Sequence, residues 1–348
     1  MNSRTSNPIF IIGTERSGSN LLRFLLNANP QIAIPHPPHV MRDIAPFAHL
    51  YGDLQRDENF KTLVRDVARI VNMHFAPWPF AIREKELFKF AHSRSLYGVY
   101  AGLYEQYLKH ADKSRWGCKS TFMYRHIGDI LRHHESPRFL HLVRDPRDVA
   151  ASAGESIFSR FHPYKEAQLW AEQQNEIEKW AHLAQEGKLL RVRYEDLVSQ
   201  PEAELKKIMA FLGEQYRPEQ MLYFRGPEAG ALSRLSESWK NCAAPVSNKS
   251  VGRFRAELSQ REIAHVEFHA HKLMRKYGYA LASRKVIQKP DLWELAKIES
   301  SDRLQKISAE AKSLLKDKNF YQRWKKWAFI QTVKKSKEWQ RKEQWNRH

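Results

Sequence analysis

Pro8-Ile9-Phe10-Ile11-Ile12-Gly13 is an uninterrupted apolar run that stops at a glycine. A strand without polar alternation must be covered on both faces, which places it inside a parallel sheet flanked by helices. The next residues, Gly13-Thr-Glu-Arg-Ser-Gly-Ser-Asn20, are small and polar, and Leu21, Leu22, Leu25, Leu26 and Ala28 then recur at helical spacing. Small residues at a strand-to-helix turn let consecutive backbone N–H groups converge on an anion, and the helix N-terminus adds its dipole. The spacing of Gly13 and Gly18 matches the start of G-x-x-x-x-G-K-[S/T], but Ser19 and Asn20 occupy the lysine and hydroxyl positions, and Arg16 sits inside the loop. An NTP-hydrolysing site needs that lysine and a metal to manage triphosphate charge. The loop therefore suits a phosphate-like group held without a Walker lysine. Set against a bare Gly/Ser turn, the flanking strand and helix favour an anion site.

Further along, amphipathic helices are legible around Phe60, Leu63, Val64, Val67 and Val71, and around Leu96, Val99, Tyr100, Leu103 and Tyr107. Buried strands are expected at Arg138 to Val143 and Lys188 to Tyr194, and Ser259 with Glu262 reads as a capping box opening a helix to about Lys276. Strands separated by helices argue for a parallel α/β sheet. The second strand runs into Arg144-Asp-Pro-Arg-Asp148 and a helix that carries Ser152. Arg144 falls just past the strand's carboxyl end, where ligands bind in open α/β sheets, and a guanidinium with a hydroxyl suits a terminal phosphate. The alternative is that Asp145 and Asp148 lock Arg144 and Arg147 into structural ion pairs.

Charge and composition narrow the classes. Lys and Arg number 58 against 39 Asp and Glu in 348 residues, a formal charge of +19 that favours an anionic partner. Apolar runs such as Ile9 to Ile12 fall far short of the roughly 20 residues a spanning helix needs. No apolar segment of signal-peptide length precedes the first strand, and two cysteines, Cys118 and Cys242, make neither a disulfide framework nor a Cys-rich zinc site. A cytoplasmic setting is the expectation. From about Lys285 the texture changes: 17 Lys and Arg against 8 Asp and Glu, with Trp293, Trp324, Trp327, Trp339 and Trp345, and with Leu304, Ile307, Ala311, Leu314 and Leu315 at helical spacing. The preferred reading is one or two appended helices packing on the body. The sharper one is a basic, aromatic surface for a polyanion or a peripheral membrane contact.

Taken together, the two anion segments resemble the sulfotransferase family that uses 3′-phosphoadenosine 5′-phosphosulfate (PAPS). The loop Thr14 to Leu22 is similar to its 5′-phosphosulfate loop, and Arg144 with Ser152 to its 3′-phosphate pair, eight positions apart. Trp116-Gly-Cys-Lys-Ser120 resembles the family's strand with a catalytic lysine, matched by Lys119. Val192-Arg-Tyr-Glu-Asp-Leu197, with Pro201 and Phe211-Leu-Gly213, resembles its RYEDL stretch, and Ser247 to Phe254 its late loop, without the usual Arg-Lys-Gly. The resemblance runs from about Ile9 to Tyr279 and leaves the tail outside. It implies an α/β three-layer sandwich with a central parallel sheet, P-loop NTPase-like, spanning residues 1–284, and a basic helical C-terminal extension over 285–348.

It also implies roles. Arg16, Ser17, Gly18, Ser19 and Asn20 would hold the 5′-phosphate. Arg144 and Ser152 would fix the 3′-phosphate, helped by Lys249 or Arg253, with Tyr194 near the adenine. Arg16 and Lys119 would stabilise charge on the bridging oxygen, and no metal is required. Where many members carry a Glu or His base, this sequence has Ile34-Pro-His-Pro-Pro-His39, so His36 or His39 is the candidate; imidazole suits an alcohol proton near neutrality. The acceptor would be a small molecule, carbohydrate or lipid carrying a hydroxyl or amine, drawn into residues from about Met41 to Tyr107, which include Phe47, His74, Trp78 and Phe80. No nucleic acid partner is expected. The rival classes are an NTP-dependent kinase of related fold, marked by magnesium-dependent ATP binding, and a non-catalytic polyanion binder, marked by steeply salt-dependent binding through the tail.

Overall fold

A computed structural model describes residues 7–153, 162–235, 237–282 and 289–346. Five strands form one sheet in the order β2-β3-β1-β4-β5: β1 (Ile9–Gly13), β2 (Ile32–Ala33), β3 (Arg115–Cys118), β4 (Arg138–Val143) and β5 (Leu189–Arg193). The α-helices are, in chain order, α1 (Ser19–Asn27), α2 (Val40–Ile44), α3 (Asp57–Asn72), α4 (Glu84–Phe90), α5 (Leu96–Ala111), α6 (Ile127–His133), α7 (Pro146–Ala153), α8 (Pro163–Glu178), α9 (Tyr194–Ser199), α10 (Pro201–Leu212), α11 (Pro227–Leu235), α12 (Phe254–Glu257), α13 (Gln260–Lys276), α14 (Leu292–Lys316) and α15 (Phe320–Asn346). The pairings β1–β3, β2–β3 and β4–β5 are parallel, with Phe10 opposite Cys118 and Leu142 opposite Val192. Every residue of β1 is buried, as its unbroken apolar sequence requires. The parallel α/β architecture expected from the sequence is the one observed.

By internal packing the chain divides into two units. One contains residues 11–29 and 138–317. Its core joins Val143 and Val149 to Trp170, Ala270, Leu273, Met274, Tyr277 and Tyr279, so α8 and α13 pack beside β4 and α7. The expected capping box is present at the start of α13: Ser259 accepts from the Glu262 N–H, and the Glu262 carboxylate accepts from the Ser259 N–H. Arg23, fully buried on α1, pairs with Glu228 of α11 at 2.5 Å, and Asn27 donates to the same carboxylate. Helix α14 belongs to this unit, where Glu294 pairs with His265 at 2.8 Å and Glu299 with Lys165 at 2.7 Å.

The other unit contains residues 1–10, 30–137 and 318–348. Its core is aromatic: Trp116 of β3 packs against Phe10 and stacks on Tyr104 of α5, and the Tyr104 hydroxyl donates to the Cys118 sulfur at 3.2 Å. Helix α15 belongs here and packs on α3 and on the 3-10 turn Ala45–Tyr51. The C-terminal sequence from Lys318 is thus part of this unit, although it lies last in the chain.

Candidate active site

The turn after β1 shows why the sequence needs glycine twice. Gly13, at φ +147°, lies so close to β4 that a Cβ would meet the Leu142 carbonyl oxygen at 2.3 Å. Gly18 caps α1 at φ +89°, and a Cβ there would meet the Tyr194 ring at 2.4 Å. Arg16 also adopts a left-handed backbone, φ +65°, which turns the loop over. Ser17 is buried, and its Oγ makes no hydrogen bond among the described residues; the same holds for Oδ1 of Asn20 in the first turn of α1. Buried polar atoms are normally satisfied, so two such atoms in one loop fit a ligand with donor or acceptor oxygens.

Arg144 is 4% exposed and donates to two backbone carbonyls, Arg16 at 2.8 Å and Ser250 at 2.7 Å. Its guanidinium lies over the Tyr194 ring, 4.5 Å from the centroid. No carboxylate pairs with it among the described residues. Arg147 behaves oppositely: it forks onto Asp145 and also reaches Glu267 at 2.7 Å, all three buried. Breaking such a buried group by removing one partner typically costs about 3–5 kcal/mol. The two arginines of the Arg144-Asp-Pro-Arg-Asp148 turn are therefore distinct, Arg147 structural and Arg144 a buried cation held by neutral oxygens. Ser152, near the end of α7, accepts from Arg16 Nε at 3.1 Å. Asp148 accepts from the Gly252 and Phe254 amides at 2.7 and 3.0 Å and so pins the late loop to α7. Burial pushes its carboxyl pKa up, against the pull of those two amides. Lys249 is exposed, and Arg253 is engaged with Glu257 at 2.7 Å.

In the other unit, the segment Ile34 to His39 has prolines at 35, 37 and 38 and few N–H groups of its own. Its carbonyls are gripped from outside. Trp78 Nε1 donates to the His36 oxygen at 2.9 Å, His74 bonds the Pro37 backbone, and Lys326 of α15 donates to the Pro38 oxygen at 2.8 Å. Since His74 Nδ1 accepts from the Ala76 amide at 3.0 Å, its proton sits on Nε2. His39 starts α2 in a left-handed conformation, φ +59°, with Nδ1 3.4 Å from Ser120 Oγ. The rings of His36, His39 and His74 form one cluster, with centroids 5.2 to 6.4 Å apart. His36 is buried, whereas His39 is half-buried. Burial first, then the charges of Arg42, His74, Lys119 and Lys326, hold the His39 pKa well below 6.5. His39 is thus a neutral imidazole near pH 7. Lys119 is buried one residue past β3. Among the described residues no cluster of His, Cys, Asp or Glu is arranged to hold a metal, and no helix is long and apolar enough to cross a membrane.

A family model described as the sulfotransferase family matches residues 8–218. The chain belongs to that family. Its fold is similar to that of the sulfotransferase domain from the Synechococcus PCC 7002 olefin synthase, at 20% identity over 81% of this chain and 98% of that one, TM-score 0.54. It is likewise similar to the sulfotransferase domain from the curacin biosynthetic pathway, at 20% identity over 80% and 100%, TM-score 0.53. No curated protein matches it in sequence.

In this sulfotransferase the residues expected to hold a nucleotide converge within one unit: Arg16, Gly18, Arg144, Ser152 and Tyr194 contact one another directly or through one neighbour. The histidine candidates and Lys119 all lie in the other unit, where Lys119 acts electrostatically on His39. Three features escape sequence reasoning. Asp148 serves as the anchor of the late loop. A relay runs from His141 of β4 through Gln174 to the Thr14 hydroxyl, at 2.6 and 3.0 Å. Lys326 reaches Pro38 from 288 residues away. The Asp148 anchor had a local signal, an aspartate four residues after Arg144 on a helix start; the other two pairings had none.

Proposed function

We propose that the protein transfers a sulfuryl group from PAPS to the hydroxyl or amine of a small-molecule, carbohydrate or lipid acceptor. The observation that carries this reading is Arg144, a buried guanidinium with no carboxylate partner among the described residues, which shares its surroundings with Ser152, Arg16 and a Ser17 hydroxyl that bonds none of those residues. A cation so placed awaits an anion, and the two phosphate positions of PAPS supply one at each end of the pair of segments.

The residues divide the work as follows. The loop amides from Arg16 to Asn20, with the Ser17 and Ser19 hydroxyls, bind the 5′-phosphate; Arg144 and Ser152 bind the 3′-phosphate, with Lys249 the cation of the late loop; Tyr194 takes the adenine side. His39 accepts the acceptor's proton, chosen over His36 because it is half-buried where His36 is buried, and because its ring is neutral near pH 7. The donor supplies an S–O bond that breaks as the acceptor oxygen forms its own to sulfur. The pair of electrons leaves on the bridging oxygen of the nucleotide, whose charge Arg16 and Lys119 meet. Fixed cations carry that charge.

Transfer of label from sulfur-labelled PAPS to panels of phenols, sugars and lipid alcohols tests the reading. Product with one panel, abolished in Arg144→Ala, supports it; magnesium-dependent transfer from ATP instead supports the kinase. The outward face of α15, with Tyr321, Trp324, Trp327 and Trp339 exposed beside Lys335, supports a peripheral contact with an anionic surface. Sedimentation with anionic against neutral vesicles checks that contact.

A further inference from the structure

Lys326 lies on α15, more than a hundred residues past the stretch that the family model matches, yet the residue is 8% exposed and its ammonium makes two bonds at the histidine cluster. One goes to the Pro38 carbonyl and one to the Asp43 carboxylate, each 2.8 Å long. Pro38 immediately precedes His39, and Asp43 sits one turn into α2, the helix His39 begins; the Asp43 amide donates to the His39 carbonyl at 3.0 Å. Lys326 thus ties the residue before the left-handed His39 to the first turn of α2. An L-residue at φ +59° is held there by its surroundings, because the left-handed region costs roughly 1–2 kcal/mol. Buried lysines are rare without a partner, and here the partner is one carboxylate.

We infer that α15 is a working part of the acceptor-activating centre, in which Lys326 is a positioning residue that holds the Pro35–His39 segment and fixes where the His39 ring is presented. The inference rests on the reading of His39 as base. The lysine also adds a positive charge to those of Arg42 on α2 and Lys119 after β3 and to the His74 ring from the turn after α3, with the Asp43 carboxylate opposing them, so its loss moves His39 toward a higher proton affinity.

The test compares wild type with Lys326→Met, Lys326→Arg and the pair Lys326→Met/Asp43→Asn, which removes both charges and leaves no buried carboxylate unpaired. Three readouts are taken on the full chain: turnover against pH, affinity for 3′-phosphoadenosine 5′-phosphate, and the His39 ring titration by NMR. The expected result is a turnover loss of about 10- to 100-fold in Lys326→Met and in the double variant, part of the range a general base supplies. Nucleotide affinity stays at the wild-type value, the His39 titration midpoint rises in Lys326→Met, and Lys326→Arg recovers part of the turnover. An unchanged titration with unchanged turnover overturns the inference, as does a parallel loss of nucleotide affinity in all three variants, which marks a general folding defect. His39→Ala separates the two layers: full turnover in that variant sinks the base assignment, while a shifted His39 titration in Lys326→Met still upholds the positioning role.

Discussion

The Arg144 guanidinium rests on the Tyr194 ring, and the same ring occupies the space that a side chain at Gly18 would need. One aromatic residue at the start of α9 thus sets both the height of the buried cation and the closest approach of the loop. Gly18→Ala is therefore expected to fail twice: its φ of +89° is costly for alanine, and its Cβ would stand 2.4 Å from the ring. The expected outcome is at least 10-fold weaker binding of 3′-phosphoadenosine 5′-phosphate by calorimetry and a loss of about 1–2 kcal/mol in unfolding free energy. Tyr194→Phe should leave both close to wild type, because the contact is with the ring face.

Asp148 gives a second prediction. Its carboxylate receives the Gly252 and Phe254 amides, so Asp148→Ala leaves two donors without their acceptor. Each buried group left unsatisfied costs about 1–3 kcal/mol. Protease cleavage within 247–256 should accelerate in Asp148→Ala, and nucleotide should protect less than in wild type. Equal cleavage rates in the two proteins would show that the late loop is held by other contacts.

How much of this was open to sequence reasoning depended on range. β1 and its loop were legible because four apolar residues in a row ending at a glycine admit one environment, and the capping box of α13 because both partners lie within four residues. β2, at two residues, is too short to carry a period, and its place beside β3 follows only from the fold. Arg144 and Arg147 could not be told apart from their letters, since the partner that makes Arg147 structural, Glu267, lies 120 residues on. Lys326 looked like any of the basic residues on a solvated helix; its burial is set by Asp43 and Pro38, which no local pattern connects to it.

Acid sensitivity follows from the buried imidazoles. His141 is pushed down to about 4 by burial, opposed by its bond to Gln174, and His134 is pushed down to about 4 by burial and by neighbouring His133. Between pH 6.5 and about 4 the unfolded chain binds protons that these folded rings do not, so stability falls as pH falls through that window. Each tenfold difference in proton affinity is worth about 1.4 kcal/mol. Asp148 and Glu195, whose carboxyl pKa values burial raises, contribute the opposite slope, so the test is a difference. Thermal midpoints measured from pH 7.5 to 4.5 should fall less steeply in His141→Gln than in wild type. Identical slopes would mean that the ring is solvated.

His39 makes the activity profile specific. Held well below 6.5, its ring is neutral and able to accept a proton throughout the physiological range, so turnover should stay level as pH drops from 8 to 6.5 and decline only below. A decline centred near 6.5 would point to an ordinary, solvated histidine as the base.

We propose that Arg144 and Ser152 read a 3′-phosphate. Calorimetric titration of 3′-phosphoadenosine 5′-phosphate, ADP and ATP without metal, on wild type and Arg144→Ala, tests it most directly. The account predicts selective binding of the 3′-phosphate nucleotide by wild type, at least 10-fold weaker in the variant, the order expected for a lost charge-assisted hydrogen-bond pair. Binding of ADP equal to that of 3′-phosphoadenosine 5′-phosphate, unchanged in Arg144→Ala, would contradict it.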